Sequence, residues 1–311
     1  MKRSSANTGI AVRAGENNFA GSLTDLLKVF SELTKFKITA LVSFTTGLGF
    51  ILASNSLSFT MFWAIAGIFL LAAASSSLNH WQEKDTDALM DRTKFRPIPA
   101  GRIEPAAALY VSLGLLVSGS IVLLFTTNFT TFMVGLFTFF WYNGVYTPLK
   151  RKTAFAIIPG ALVGALPPVA GWTAAGGDLF DGRIIMIAVY FFIWQIPHFW
   201  LLLMLYGSDY EKGGFPTLNK VFAPEQLKRI TFMWLIGNVM TAMLIPMFLY
   251  INYSASFIAL CVISVWMLWV SFKFLRGSTE RKSIRNTFIA INFYTLLLIT
   301  ILSIDKLIKV F

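Results

Sequence analysis

"SFTMFWAIAGIFLLAAASSSLNHWQEKDTDALMDRTKFRPIPAGR" runs from Ser58 to Arg102, and an abrupt change of chemistry falls inside it. Residues 58–79 carry no charge. Glu83, Asp85, Asp87 and Asp91, with Lys84, Arg92, Lys94, Arg96 and Arg102, then crowd into residues 80–102. An uncharged run of about twenty residues is long enough to cross roughly 30 Å of hydrocarbon as a helix. The charged stretch is then where that helix leaves the membrane.

The apolar run recurs along the chain. Of 311 residues, 56% are hydrophobic and only 13% charged, and the mean hydropathy is +0.67. Nine candidate spans result: about 37–56, 58–79, 105–125, 129–146, 154–174, 183–206, 229–250, 254–272 and 287–305. None alternates polar and apolar residues as the strands of a membrane barrel do. The expected fold is an all-α polytopic membrane protein of nine transmembrane helices. Residues 1–32 would form a flexible arm and 33–311 a single membrane domain with two long polar loops, 80–104 and 207–228. The start, "MKRSSANTGIAVRAGENN", lacks the apolar core of a signal peptide.

A net charge of +11 could indicate a nucleic-acid partner, so the placement of the cations decides. With nine spans, 23 of the 26 lysines and arginines fall on one side, leaving only Arg183, Lys306 and Lys309 on the other. That asymmetry is the positive-inside pattern. It predicts that the N-terminus and both long loops are cytoplasmic, and it calls for membrane lipids rather than nucleic acid as partner. The lone cysteine, Cys261, lies in the eighth span, so neither disulfides nor a cysteine-based metal centre is available.

Asn79, Glu83 and Asp87 are spaced four apart. At about 100° per residue, each such step drifts only about 40°, so the three share one helical stripe. Asp91 drifts off that face, and Asp85 points elsewhere. Two carboxylates and an amide oxygen suit a hard cation, and Mg²⁺ typically takes one or two carboxylates, several waters and a substrate phosphate. Arg92, Lys94, Arg96 and Arg102 come next, and Pro97 and Pro99 are expected to end the helix and stiffen the turn. Acids that hold Mg²⁺ beside guanidiniums that fork onto oxyanions form a reasonable diphosphate clamp. A solvated loop, charged because it meets water, is the plainer reading of such a stretch taken alone.

Read whole, "NHWQEKDTDALMDRTKFRPIPAGRI" resembles the first acidic motif of the UbiA-type intramembrane prenyltransferases. It is most similar to the branch that farnesylates haem, with the pattern N-x-x-x-[DE]-x-x-x-D-x-x-M-x-R-T-x-x-R-P. Asn79, Glu83, Asp87, Met90, Arg92, Thr93, Arg96 and Pro97 all fit it. "LTKFK" at Leu33–Lys37 resembles the family's L-T-K-P-R, with Phe36 and Lys37 replacing its proline and arginine. "YTPLKRKT" from Tyr146, "GALPPVAGW" from Gly164, "WQIPHFW" from Trp194 and "DYEKGGFP" from Asp209 resemble further family segments.

The resemblance implies nine helices around a central cavity in the bacterial inner membrane. It implies Mg²⁺ as cofactor, with farnesyl diphosphate and haem B as substrates, giving haem O, and a haem A synthase acting downstream. Breaking an allylic C–O bond leaves a carbocation and a pyrophosphate whose charge must be stabilised. Accordingly Asn79, Glu83 and Asp87 are expected to carry Mg²⁺. Arg92, Arg96, Lys150, Arg151 and Lys35 are expected to grip phosphate oxygens, with Tyr146 on the same face as Lys150. Many family members carry a second D-x-x-x-D pair, where this chain has Asp209 and then Gly213. Asp209 is thus a weak candidate for a second metal contact, with Lys212 taking part of its charge role.

His198, just after Pro197, is either a histidine bonding a carbonyl freed by the proline or a contact to haem, and Trp200 is its companion candidate. His80 beside the metal stripe reads as a solvated interfacial histidine. The Pro167–Pro168 pair is expected to break its span. An aromatic acceptor on the same fold is one rival, and an ion-coupled transporter is another. The transporter predicts acids at mid-span, and these spans carry hardly any.

Overall fold

The structure is a computed structural model that describes residues 19–277 and 280–308, with side chains from residue 23. The described residues are helical, without strands. In chain order they form α1 (Phe19–Leu33), α2 (Phe36–Ser54), α3 (Phe59–Gln82), the short α4 (Lys84–Asp87), α5 (Pro105–Thr126) and α6 (Phe129–Phe140). A π-helical turn, Trp141–Tyr146, leads into α7 (Thr147–Leu149). Then come α8 (Ile157–Ala174), α9 (Gly182–Lys212), α10 (Leu218–Val221), α11 (Pro224–Phe248), α12 (Ser254–Arg276) and α13 (Arg281–Leu307).

Eight helices, α2, α3, α5, α8, α9, α11, α12 and α13, are long and apolar enough to cross a membrane. The ninth expected span, 129–146, is not one uninterrupted α-helix: α6 continues only through the π-helical turn. The expected arm is also corrected. Residues 1–18 lie outside the described residues, but 19–33 form α1, whose exposed Leu23, Leu26, Leu27 and Phe30 suit a helix lying on a membrane surface. The 207–228 loop shrinks too, because α9 extends to Lys212 and α11 begins at Pro224.

Short polar side chains start the spans on the cation-poor face. Ser58 accepts from the Met61 N–H, Asn128 from that of Thr131, and Asp181 from that of Arg183, each satisfying a donor the helix leaves free. The Asp305 carboxylate accepts the N–H groups of Asn252 and Tyr253 at 2.9 and 3.1 Å, tying α13 to the α11–α12 turn.

Between helices, small residues let backbones approach. A Cβ on Gly49 would overlap the Pro168 carbonyl, and one on Gly171 the Thr46 carbonyl, so α2 and α8 touch backbone to backbone. Hydroxyls link other pairs: Ser112 donates to the Ala74 carbonyl, and Tyr190 meets Thr295. α2 packs on α3 and α8, α8 on α9, α9 on α11 and α13, and α13 returns to α2. The break expected at Pro167–Pro168 is absent, since α8 runs through both prolines; α9 likewise runs through Pro197. Each proline removes only a single backbone hydrogen bond, and in a membrane bundle neighbouring helices and polar side chains can satisfy the group it frees, so the helix continues.

Candidate active site

α3 ends at Gln82, earlier than Pro97 and Pro99 suggested, and Glu83 leaves helical geometry. The stripe survives this break. The Glu83 N–H still bonds the Asn79 carbonyl at 2.9 Å, and the Asp87 N–H bonds the Glu83 carbonyl at 2.7 Å, so the four-residue register is kept into α4. Asn79, Glu83 and Asp87 are all buried, Asp87 completely. Asp85 and Asp91 face outward, as the spacing predicts.

Each member of the stripe meets a cation from a different element. Arg96 forks onto Asp87 through two bonds of 2.8 and 2.7 Å. Lys150, just beyond α7, pairs with Glu83 at 2.5 Å. Lys35, in a left-handed turn between α1 and α2, donates to the Asn79 side-chain oxygen at 3.2 Å, and the Asn79 amide reaches Thr147 at 3.4 Å. The Lys150 ammonium stands 5.2 Å over the Tyr146 ring. The turn after α4 is held in shape by Thr93, whose hydroxyl donates to the Asp87 carbonyl, and by Arg102, which pairs with Glu32 of α1.

Charge and burial work against each other here. Burial pushes the Lys35 ammonium down to about 7, with Arg96 adding to the push and Glu83 opposing it. Burial likewise raises the Asp87 carboxyl, against the pull of Arg96. For Glu83, burial is outweighed by Lys150, so its carboxyl sits below the usual range. A desolvated carboxylate strongly favours a cation beside it.

The donor set fits Mg²⁺. Among the described residues no group of three His, Cys, Asp or Glu stands together. Two carboxylates and one amide oxygen instead match an ion that draws its remaining ligands from water and phosphate. An apolar cavity begins beside this cluster, with Lys35 in its wall and Thr39, Ile68, Leu71, Tyr142 and Pro167 further along.

Other predicted residues lie elsewhere. Asp209 accepts from the backbone N–H groups of Asp91 and Arg92 at 2.7 and 3.1 Å, so it caps the first loop rather than offering free oxygens to a metal. Lys212 pairs with Asp91 instead of facing the cluster. Together with Lys94, it holds the exposed Asp91 carboxyl down to about 2. Arg92 is stacked over Tyr206 and Tyr210, 5.6 Å from each ring, and donates to the Tyr210 hydroxyl. Arg151 donates to the Gln82 carbonyl. Both arginines brace loops rather than facing the acids.

Trp200 packs into a core patch with Ile157, Ala161 and Ile196 and stands edge-on to Trp234, which is a packing role. His198 lies between Trp194 and Phe288, 4.7 and 4.8 Å away, and its Nδ1 makes no hydrogen bond. His80 is buried with neither ring nitrogen bonded, contrary to the solvated reading. The sequence reading missed Thr147 and Tyr142. The four-residue spacing from Tyr142 to Tyr146 was the available signal.

The UbiA prenyltransferase family model matches residues 41–296. A protoheme IX farnesyltransferase of Oleidesulfovibrio alaskensis is 34% identical over 283 residues, 91% of this chain and 98% of that one. The fold is also that of a solved digeranylgeranylglyceryl phosphate synthase, with TM-score 0.73 at 14% identity over 90% of this chain and 98% of that one. A UbiA homolog from Archaeoglobus fulgidus bound to GPP and Mg²⁺ gives 0.61 at 17% identity, over 88% of this chain and 99% of that one. By the extent of these matches, the chain belongs to the UbiA prenyltransferase family.

Proposed function

We propose that this protein transfers the farnesyl group of farnesyl diphosphate to a vinyl group of haem B, making haem O, with residues 33–311 acting as one membrane domain. The observation that carries the reading is the buried Asn79–Glu83–Asp87 stripe, paired with Lys35, Lys150 and Arg96 at the mouth of an apolar cavity. Such a mouth suits a molecule with a diphosphate head and a hydrocarbon tail. The protoheme IX farnesyltransferase relative points to haem B as the acceptor.

Bound Mg²⁺ would neutralise charge growing on the departing pyrophosphate, and Asn79, Glu83 and Asp87 would hold it. The paired cations suit the exchange this requires. Lys35, Lys150 and Arg96 would turn from the stripe to the phosphate oxygens, with Arg96 forking onto two of them. The Tyr146 ring beneath Lys150 adds an electron-rich face beside the developing allylic cation. Burial excludes bulk water, which strengthens each of these interactions. His198, whose Nδ1 lacks a hydrogen bond between two aromatic rings, is assigned to contact the macrocycle.

The 23 cations on the active-site face support a cytoplasmic site in a bacterial inner membrane. The haem O produced would be the substrate of an oxidising haem A synthase. Purified protein given haem B, farnesyl diphosphate and Mg²⁺ should yield a pigment heavier by a farnesyl group and a hydroxyl, the hydroxyl coming from water as pyrophosphate leaves, read by mass spectrometry. Unchanged haem from a folded preparation would refute the assignment, and chelation with EDTA should stop turnover reversibly.

A further inference from the structure

A second site lies away from the acids, on the outer side of the bundle. Between α12 and α13, at the cation-rich face, a groove of about 630 Å³ opens along the surface. Its apolar wall includes Trp266, which meets Phe293 edge-on at 6.1 Å, and Trp269, which is 60% exposed. At its rim stand Lys273, with its ammonium 5.2 Å over the Trp269 ring, and Lys282 and Asn286 from α13.

Among the described residues no acid neutralises the charge here. Glu280 also borders the groove, yet among the described residues neither Lys273 nor Lys282 has a carboxylate within ion-pair distance. Over 273–286 the sequence has five cations against that single acid. Tryptophan settles at the level of lipid headgroups, and lysine there extends its amine toward phosphate. A basic pocket between membrane helices at such a level matches an anionic headgroup above and an acyl chain below.

We propose that this groove binds a single anionic phospholipid, its phosphate held by Lys273, Lys282 and Asn286 and one acyl chain lying along Trp266 and Phe293. The site is separate from the diphosphate cluster, and its occupant is structural rather than a substrate.

The full chain in phosphatidylcholine nanodiscs can be titrated with brominated phosphatidylglycerol or, in parallel, with brominated phosphatidylcholine, following tryptophan fluorescence. The Trp266→Phe, Trp269→Phe variant identifies the signal that belongs to the groove. Half-quenching of that signal should need about tenfold less of the anionic lipid, from two lysines near an anionic headgroup. Lys273→Gln with Lys282→Gln should bring the ratio close to one, while an unchanged thermal midpoint shows the fold intact. Equal quenching by both lipids in the unaltered chain, or a preference that survives the double lysine change, would overturn the proposal. So would a groove shielded from both lipids in a preparation whose native mass is that of two copies.

Discussion

Asp87 and Arg96 form an unequal pair, because the carboxylate is fully buried while Arg96 is 20% exposed. Arg96→Leu would strand an uncompensated buried charge, a loss of about 3–5 kcal/mol. Asp87→Asn leaves only an arginine that can turn toward water. Arg96→Leu should therefore melt at the lower temperature in detergent. Asp87→Asn should keep its fold and lose at least about a hundredfold in farnesyl transfer, as expected when charge stabilisation at the reacting centre is removed. Asp209 separates a cap from a ligand. As a cap, Asp209→Asn keeps one of two acceptors, costing about 1.5 kcal/mol in loop anchoring and leaving the Mg²⁺ concentration for half-activity unchanged. A large rise in that concentration would instead make Asp209 a metal contact. Its spacing alone suggested a metal, because backbone N–H partners brought by another loop leave no mark in the sequence.

The α2–α8 contact brings backbone against backbone, and it sits where the Pro167–Pro168 pair suggested a break. Gly49→Val would force a side chain against the Pro168 carbonyl, and overpacking of this kind costs about 1–3 kcal/mol or more. Its thermal midpoint should drop well below that of Gly114→Val, where a Cβ meets nothing within 4 Å. The π-helical turn has an equally local consequence. It widens the ladder between α6 and α7 and carries Thr147 to Asn79 and Lys150 to Glu83. A search for a regular 3.6-residue period registers 129–146 as one plain span, since an extra residue in a single turn does not disturb hydropathy. Tyr142, four residues before Tyr146, was missed although that spacing was visible, and it lines the cavity beside the stripe.

Nine crossings put the two ends of the chain on opposite faces of the membrane, whereas eight would put them together. Alkaline phosphatase fused after residue 311 should be active in the periplasm of a bacterial host, and a fluorescent protein fused at the N-terminus should glow in the cytoplasm. Two cytoplasmic ends would mean that the α6–π–α7 segment does not span. The cation asymmetry already argues for nine, because removing that span would move the cations of the first loops away from those of the later ones.

Hydrophobic length and four-residue spacing are properties of neighbouring residues, so eight of the nine spans, the charged stretch and the Asn79–Glu83–Asp87 stripe were legible in the sequence by itself. Which cation answers which acid was not. Lys35, Arg96 and Lys150 reach the stripe from three separate elements, while Arg92 and Arg151, equally plausible by type, brace loops instead. Long-range pairing depends on how helices pack and where turns aim side chains, and burial then makes each pairing costly to exchange. That is a property of the assembled bundle alone.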